Sequence, residues 1–449
     1  MKWNKYIILL VVSLLFSACG EKQDLDTNPA QFYALVNEVT NTMVHDIFSP
    51  PVASRVYVYP NIAAHEILTL QSDKYSSLAG QLTDLTSIPK PQDPNINLNA
   101  AAIIAHHNLS KQLVFTEDII SSYTDSLFRS WEVINKQQFK ASKQYAQQVT
   151  DHITAWMSKD NYAQTRTMPK FSIQTNDPSR WQPTPPAYIE GIEPNWKKMR
   201  TLVLDSAAQF KPEKHPEFSM KENSDFYKEL MEVYEVSQSI TKNGDQSKEI
   251  QIAQFWDCNP YVSVTRGHLM FATKKITPGA HWMGIAEIAS KNNQDSLDDA
   301  VYAFTKTSIA LYDGFISCWD EKYRSNLIRP ETLINQHIDE QWKPILQTPP
   351  FPEYSSGHSV ISGAAATVLT QIYGDNIPFD DDTETKYGLP VRTFKSFNAA
   401  AEEAALSRLY GGIHYRAAID NGLVQGKNVG EHIVKTVKLK KDVLAWEKN

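Results

Sequence analysis

Apolar residues in this chain recur at three- and four-residue intervals, while the strict alternation of a half-buried strand is nearly absent, and this contrast confines the fold to packed helices. Phe32, Leu35, Val39 and Met43 make one such apolar face. A long polar-faced helix is expected over about 115–159 and another over 225–241. Ser296 is placed to cap a helix from Leu297 towards Tyr323, with Phe304, Leu311, Phe315 and Trp319 on its apolar side. Residues 359–373 read as a small apolar helix, and Ser396 as the cap of a further one through Arg408. The fold class is therefore all-α. Loops rich in Pro and Asn fill 88–99, 171–194, 259–278 and 347–354; they exceed ordinary helix connections and are expected to wrap the bundle or roof a site. A soft boundary near 242–248 separates an N-terminal helical half, 32–245, from a C-terminal half, 246–449.

The formal charge of −7 argues against a sequence-independent nucleic-acid binder. The densest basic run, Lys435, Lys438, Lys440 and Lys441, reads as a solvated helix face near the C-terminus. At the other end, Lys2 and Lys5, the apolar run 7–16, and small Ser17 and Ala18 read as an export leader over residues 1–18, too short to span a bilayer. The small-small-Cys ending resembles a bacterial lipoprotein signal, which implies a lipidated Cys19, a flexible tether over 19–31, and a membrane-anchored protein of the periplasm or cell surface. An ordinary cleaved leader followed by an incidental Cys is the plainer alternative. Cys258 and Cys318 are too few for a disulfide framework and read as separate buried thiols. His65-Glu66 begins an HExxH zinc motif, but Thr69 stands at the second His position. His65, His106, His107 and His281 read as surface or satisfied-core residues, and Trp256 and Trp282 as packing aromatics.

Three short blocks in the last third carry the chemistry: KYRSNLIRP at 322–330, SGH at 356–358, and SRLYGGIH at 407–414. Lys322 and Arg329 are seven apart with Pro330 next, so a helix end delivers Lys322 and an extended segment delivers Arg329. Arg supplies a planar fork for oxyanion oxygens and Lys a point charge. Ser356 and Gly357 precede a helix that begins near His358; unpaired N–H groups at that terminus favour an anion, and Gly lets main chain approach it. His358 is placed to give or take a proton. Gly411-Gly412 break the helix that Arg408 ends, so Arg408 and His414 can face one point, with a neutral His414 nitrogen as nucleophile to phosphorus or ligand to a metal oxide. Taken one at a time, each block has a structural explanation; together they describe a site for a tetrahedral oxyanion.

Lys-x6-Arg-Pro, Ser-Gly-His and Ser-Arg-x5-His resemble the signature shared by vanadium-dependent haloperoxidases and type 2 phosphatidic acid phosphatases. The flanks DGFISCWDEKYRSNLIRPET, TPPFPEYSSGHSVISGAA and EEAALSRLYGGIHYRAAIDNG, with FWDCNP and ITPGAHW upstream, are similar to the haloperoxidase branch of exported bacterial proteins. The resemblance implies two packed helical bundles. It implies that Lys322, Arg329, Ser356, Gly357 and Arg408 hold the oxyanion, that His414 is the ligand of vanadate or the phosphorylated nucleophile of a phosphatase, and that His358 is the acid-base group. Lys322 would also act catalytically by polarising peroxide. The substrates would be hydrogen peroxide and a halide with vanadate as cofactor, or a phosphate ester with none. Phe351 matches an aromatic position of the halide pocket; a hydrophobic lid residue is its plainer reading.

Two positions depart from the pattern. Ser355 replaces a Pro, which removes rigidity and no functional group. Ala418 stands where the family often has an Asp that orients the second His, and Asp420 is out of helical phase with it, so the partner of His414 must be a backbone carbonyl or another side chain. Three functions follow in order: a vanadate-dependent haloperoxidase, an acid phosphatase acting through a phosphohistidine, and a catalytically idle surface lipoprotein that keeps the fold for binding.

Overall fold

The computed structural model describes residues 23–242, 244, 247–261, 263–266, 269–272 and 275–441, with no side-chain description over 262–274. The leader, Cys19 and part of the 242–248 boundary lie outside the described residues.

The first helices are α1 (Pro29–His45), α2 (Pro50–Leu68), α3 (Leu98–Leu113) and α4 (Asp118–Met157). Phe32, Leu35, Val39 and Met43 are all buried, as their spacing predicts. Helix α4 lies within the stretch expected from its polar face, but Asn135 interrupts it with non-helical angles (φ −150, ψ 85). Its side chain accepts from the Gln138 N–H, a local bond that competes with the helical ladder. Helices α5 (Asp225–Thr241) and α6 (Lys248–Phe255) lead into α7 (Pro278–Asn292) and the long α8 (Leu297–Ser325). The short α9 (Pro330–His337) precedes α10 (Gly357–Tyr373), α11 (Phe397–Tyr410) and α12 (Arg416–Thr436). Ser296 and Ser396 cap α8 and α11 through their hydroxyls, as expected.

Two groups of helices result. α2 packs on α3, α3 on α4 and α1 on α4, while α10 packs on α11, α12 and α8. Helix α8 joins the two, because it packs on α2 as well as on α10. One contiguous apolar core therefore contains Phe32 and Tyr59 from the first half and Phe304, Trp319 and Ile361 from the second. Among the described residues strand is confined to two antiparallel hairpins, β1 (Ser263–Arg266) with β2 (Leu269–Ala272), and β3 (Phe379–Asp381) with β4 (Arg392–Phe394).

The α10–α12 contact is the tightest seam. A Cβ at Gly426 would lie 2.0 Å from the Val360 carbonyl oxygen, and one at Gly363 2.6 Å from that of Leu423, so the two backbones touch where side chains would otherwise stand. The expected loop over 171–194 does wrap: the Trp181 N–H donates to the Asn326 carbonyl and the Ile192 N–H to that of Pro350, which lays the loop against the end of α8. One expectation fails. Helix α12 stops at Thr436, and Lys438 and Lys440 sit on an extended segment, with the Lys441 N–H donating to the Lys74 carbonyl, because pairing with residues 74–76 satisfies backbone that a solvated helix end would leave open. Among the described residues no helix is long and apolar enough to cross a membrane.

Candidate active site

Lys322 sits on the last turn of α8, with its ammonium fully buried. It donates to the carbonyls of Pro352 (3.2 Å), Glu353 (3.1 Å) and Ser355 (2.5 Å), which stitches the 350–356 loop to the helix. All three N–H bonds are used, so Lys322 contributes charge to the site and holds its loop. Burial, with Arg329 nearby, pulls Lys322 down to about 7. Two turns on, Pro330 opens α9 and leaves Arg329 extended (φ −81, ψ 149), as the X-Pro step requires. Its guanidinium donates from Nε to the Phe351 carbonyl (3.0 Å) and from Nη1 to that of Ile413 (2.8 Å). Nη2 is buried without a partner among the described residues. The Phe351 ring lies 4.9 Å from the Lys322 ammonium and 5.1 Å from the Arg329 guanidinium, a cation–π arrangement that partly replaces lost water.

Ser356 caps α10: its Oγ accepts from the Ser359 N–H (3.3 Å), while its own N–H donates to the Ala418 carbonyl (3.0 Å). The capping hydroxyl keeps its proton free to donate elsewhere. Gly357 and His358 are the first helical residues, whose N–H groups have no intrahelical acceptor. A Cβ on Gly357 would meet only Trp319 at 3.7 Å and Lys322 at 3.9 Å, so packing does not demand glycine there; the missing side chain leaves cavity free. His358 lines the same cavity, its Nε2 without a partner. Burial and then Arg408 hold it well below the usual imidazole range, and so neutral. Arg408 donates from Nη1 to the Trp256 carbonyl (2.8 Å), and its Nε is buried unpartnered.

The helix that carries Arg408 ends at Tyr410, and Gly412 turns the chain with φ +74 to bring His414 back to the cavity. The question that Ala418 raised has its answer in Glu353. His414 Nδ1 lies 2.7 Å from Glu353 Oε1, and the Tyr415 N–H donates to the same oxygen (3.0 Å). A guanidinium only donates, so the Nε2 that faces Arg329 Nη1 at 3.2 Å carries the lone pair and Nδ1 the proton that goes to Glu353. Burial, then Arg329, Lys322 and Arg408, keep His414 well below its ordinary value, and burial raises Glu353 to about 8 against the pull of Arg329 and Lys322. Glu353 stands inside the PPFPEYSSGH block, a lone acid among apolar and small residues.

Residues 335–441 match the family model of the VCPO second helical-bundle domain. The whole fold is similar to the crystal structure of the first bacterial vanadium-dependent iodoperoxidase, with 59% identity and a TM-score of 0.91 over 94% of this chain and 100% of that one. The chain belongs to the vanadium-dependent haloperoxidase family. A holo-type bacterial vanadium-dependent chloroperoxidase shares the fold at 16% identity, with a TM-score of 0.69 over 92% of this chain and 98% of that one. The apo-type form of a bacterial chloroperoxidase gives 0.67 at 16% identity, over 93% of this chain and 100% of that one. Comparison with curated protein sequences gives no match.

Vanadate is the cofactor of this haloperoxidase family, and the residues present suit it. A tetrahedral oxyanion needs converging donors and one basic nitrogen. Arg329 Nη2 and Arg408 Nε supply buried donors without partners, the bare Gly357 supplies room, and His414 Nε2 supplies the lone pair. Phe351, Trp319, Tyr261 and Cys258 complete the walls of a cavity of about 30 Å³.

Proposed function

We propose that this haloperoxidase binds vanadate at His414 and uses hydrogen peroxide to oxidise iodide. The observation that carries the reading is the 59% identity to an iodoperoxidase over 94% of the chain, together with a His414 whose proton Glu353 holds on the far side of the ring. Bound vanadate would supply a Lewis-acid centre that activates hydrogen peroxide for oxygen transfer to the halide.

The chain's own residues prepare that chemistry. Glu353 keeps the lone pair of His414 aimed at the cavity, the second-shell role a carboxylate plays behind a ligating imidazole. Arg329 and Arg408 set a positive field in a buried site, where each is worth far more than in water, and Lys322 adds to it when protonated. Ser356 Oγ and the Gly357 and His358 N–H groups offer short donors at the helix terminus. His358, neutral and unpartnered at Nε2, accepts a proton from peroxide and returns it to the departing oxygen. Phe351 and Trp319 wall the side of the cavity where a weakly hydrated halide would approach.

The test is one preparation assayed twice, for iodide oxidation with vanadate and for hydrolysis of a chromogenic phosphate ester without it. Iodide oxidation that requires vanadate is expected. Ester hydrolysis lost in His414→Ala, with no halide oxidation, would assign the phosphatase reading instead. Export and tethering through a lipidated Cys19 belong to the same proposal, supported by the order of Lys2, Lys5, the apolar run and Ser17-Ala18-Cys19. Labelling by fatty acid in cells should disappear in Cys19→Ser; label retained there would sink the tether.

A further inference from the structure

Next to the cavity, and sharing Cys258 with its wall, lies a second cluster of ligating side chains that the peroxidase chemistry does not use. Cys258 follows α6, His281 stands on the first turn of α7, and Glu384 lies in the loop after β3. The three are buried, at 1%, 0% and 5% exposure. His281 Nδ1 is 3.3 Å from Glu384 Oε1 and 3.5 Å from Cys258 Sγ, and Sγ is 3.9 Å from the same carboxylate oxygen. For a tetrahedral zinc ion with bonds of about 2.0 Å to N and O and about 2.3 Å to S, the edges would be about 3.3 Å for N to O and about 3.5 Å for either to S. Two observed distances equal those edges and the third exceeds its edge by a few tenths of an ångström.

The far side of the imidazole is also built for a ligand. His281 Nε2 lies 2.9 Å from Asp381 Oδ2 and 2.8 Å from Thr383 Oγ1, and the Thr383 N–H and hydroxyl both donate to Asp381 Oδ1. That carboxylate fixes the proton on Nε2 and turns Nδ1 to the Cys and Glu, the arrangement a ligating imidazole needs. Trp256 stacks on the ring, with centroids 4.4 Å apart.

We propose that Cys258, His281 and Glu384 form a binding site for a divalent cation of borderline softness, with zinc as the first candidate. Thiolate, imidazole and carboxylate together suit that class better than a hard, oxygen-seeking cation. No fourth protein ligand belongs to the cluster among the described residues, which leaves a position for water. Thr383 and Thr385, on either side of Glu384, line an open cleft of about 760 Å³ of mixed charge, in which Lys291 pairs with Glu287 and Lys386 stands with Asp380 and Asp382. The exchange balances: one M²⁺ enters, and two protons leave, from the Cys258 thiol and from imidazolium Nδ1. The net charge of the cluster is then the same before and after. A bound ion would tie α7 and the β3 loop to the segment of Trp256, whose carbonyl holds Arg408.

Metal analysis of the vanadate-loaded protein, exposed to zinc and then desalted, should find about one zinc per chain. Glu384→Gln and Cys258→Ser should lose it, and Glu384→Gln should keep its vanadium content. Cobalt(II) in the unaltered protein should give a near-ultraviolet thiolate-to-metal band, which decides the matter even where a variant fails to fold. Zinc absent from the unaltered protein, zinc retained in Cys258→Ser, or a cobalt spectrum without the thiolate band would each overturn the site.

Discussion

Both bundles bury neutral histidines, but the second sets buried guanidinium groups beside them. In the first, His65 Nε2 meets the Ser76 carbonyl at 3.0 Å, and His106 packs edge-on against Phe32. Burial pushes His65 down to about 4, His106 to about 3 and His107 to about 4. In the second, burial lowers His358 and His414 as well, and Arg329, Arg408 and Lys322 add to it. An unpartnered ring nitrogen does not separate the two regions, since His106 Nε2 is as unpaired as His358 Nε2. The neighbours do. A neutral imidazole among apolar groups is packing, whereas a neutral imidazole facing two guanidinium groups is half of an anion site.

Breaking the second environment should have the largest effect. His414→Ala removes the ring nitrogen that Glu353 aims at the guanidinium groups and is expected to lower vanadate-dependent iodide oxidation by about a thousandfold or more, measured as kcat/KM at saturating vanadate. Activity within tenfold of wild type would mean that another group ligates. Glu353→Gln keeps an acceptor but replaces the carboxyl behind His414 with an amide, and should weaken vanadate affinity by about 10- to 100-fold in an activity titration. An unchanged titration would reduce Glu353 to a packing role.

The smallest effect on activity, and the sharpest contrast, belongs to the first bundle. His65 titrates near 6.5 when unfolded and near 4 when folded, so its stabilising contribution is complete above 6.5 and is lost as pH falls through the folded value. Between pH 7 and 4.5 the wild type should lose about 2 kcal/mol more than His65→Gln in urea unfolding, with peroxidase activity at pH 7 within about twofold. Equal acid losses in the two proteins would show that His65 is not buried neutral.

Much of this arrangement is local and therefore legible in the chain. Ser296, Ser396 and Ser356 announce helix starts because a capping hydroxyl acts within three residues of itself. The three blocks are visible because each packs charge, glycine and histidine into a few positions. What stayed hidden depends on distance or on competition. Glu353 and His414 are 61 residues apart, and no periodicity links a loop carboxylate to a ring that folds back onto it. Helical spacing from His414 points to position 418 on α12 for an orienting acid, whereas the acid stands three residues before Ser356. Asn135 breaks α4 through one side-chain bond that apolar spacing does not register. The pairing of the Lys438–Lys441 stretch with residues 74–76 is a contact between chain ends that composition alone cannot suggest.

The glycine seam between α10 and α12 sets a tolerance for the whole pocket. His414 lies just before α12, while Ser356, Gly357 and His358 lie at the head of α10, so the gap between the two donor groups is set by how closely these rods are clamped. With a Cβ at Gly426 only 2.0 Å from the Val360 oxygen, even the smallest side chain there acts as a shim, tilting one rod against the other. Such a change touches nothing in the site, yet it would put the pocket out of alignment as a unit. The cavity wall at Phe351 lies away from that seam, which separates a position where selectivity can drift from the joint where the machine's dimensions are kept.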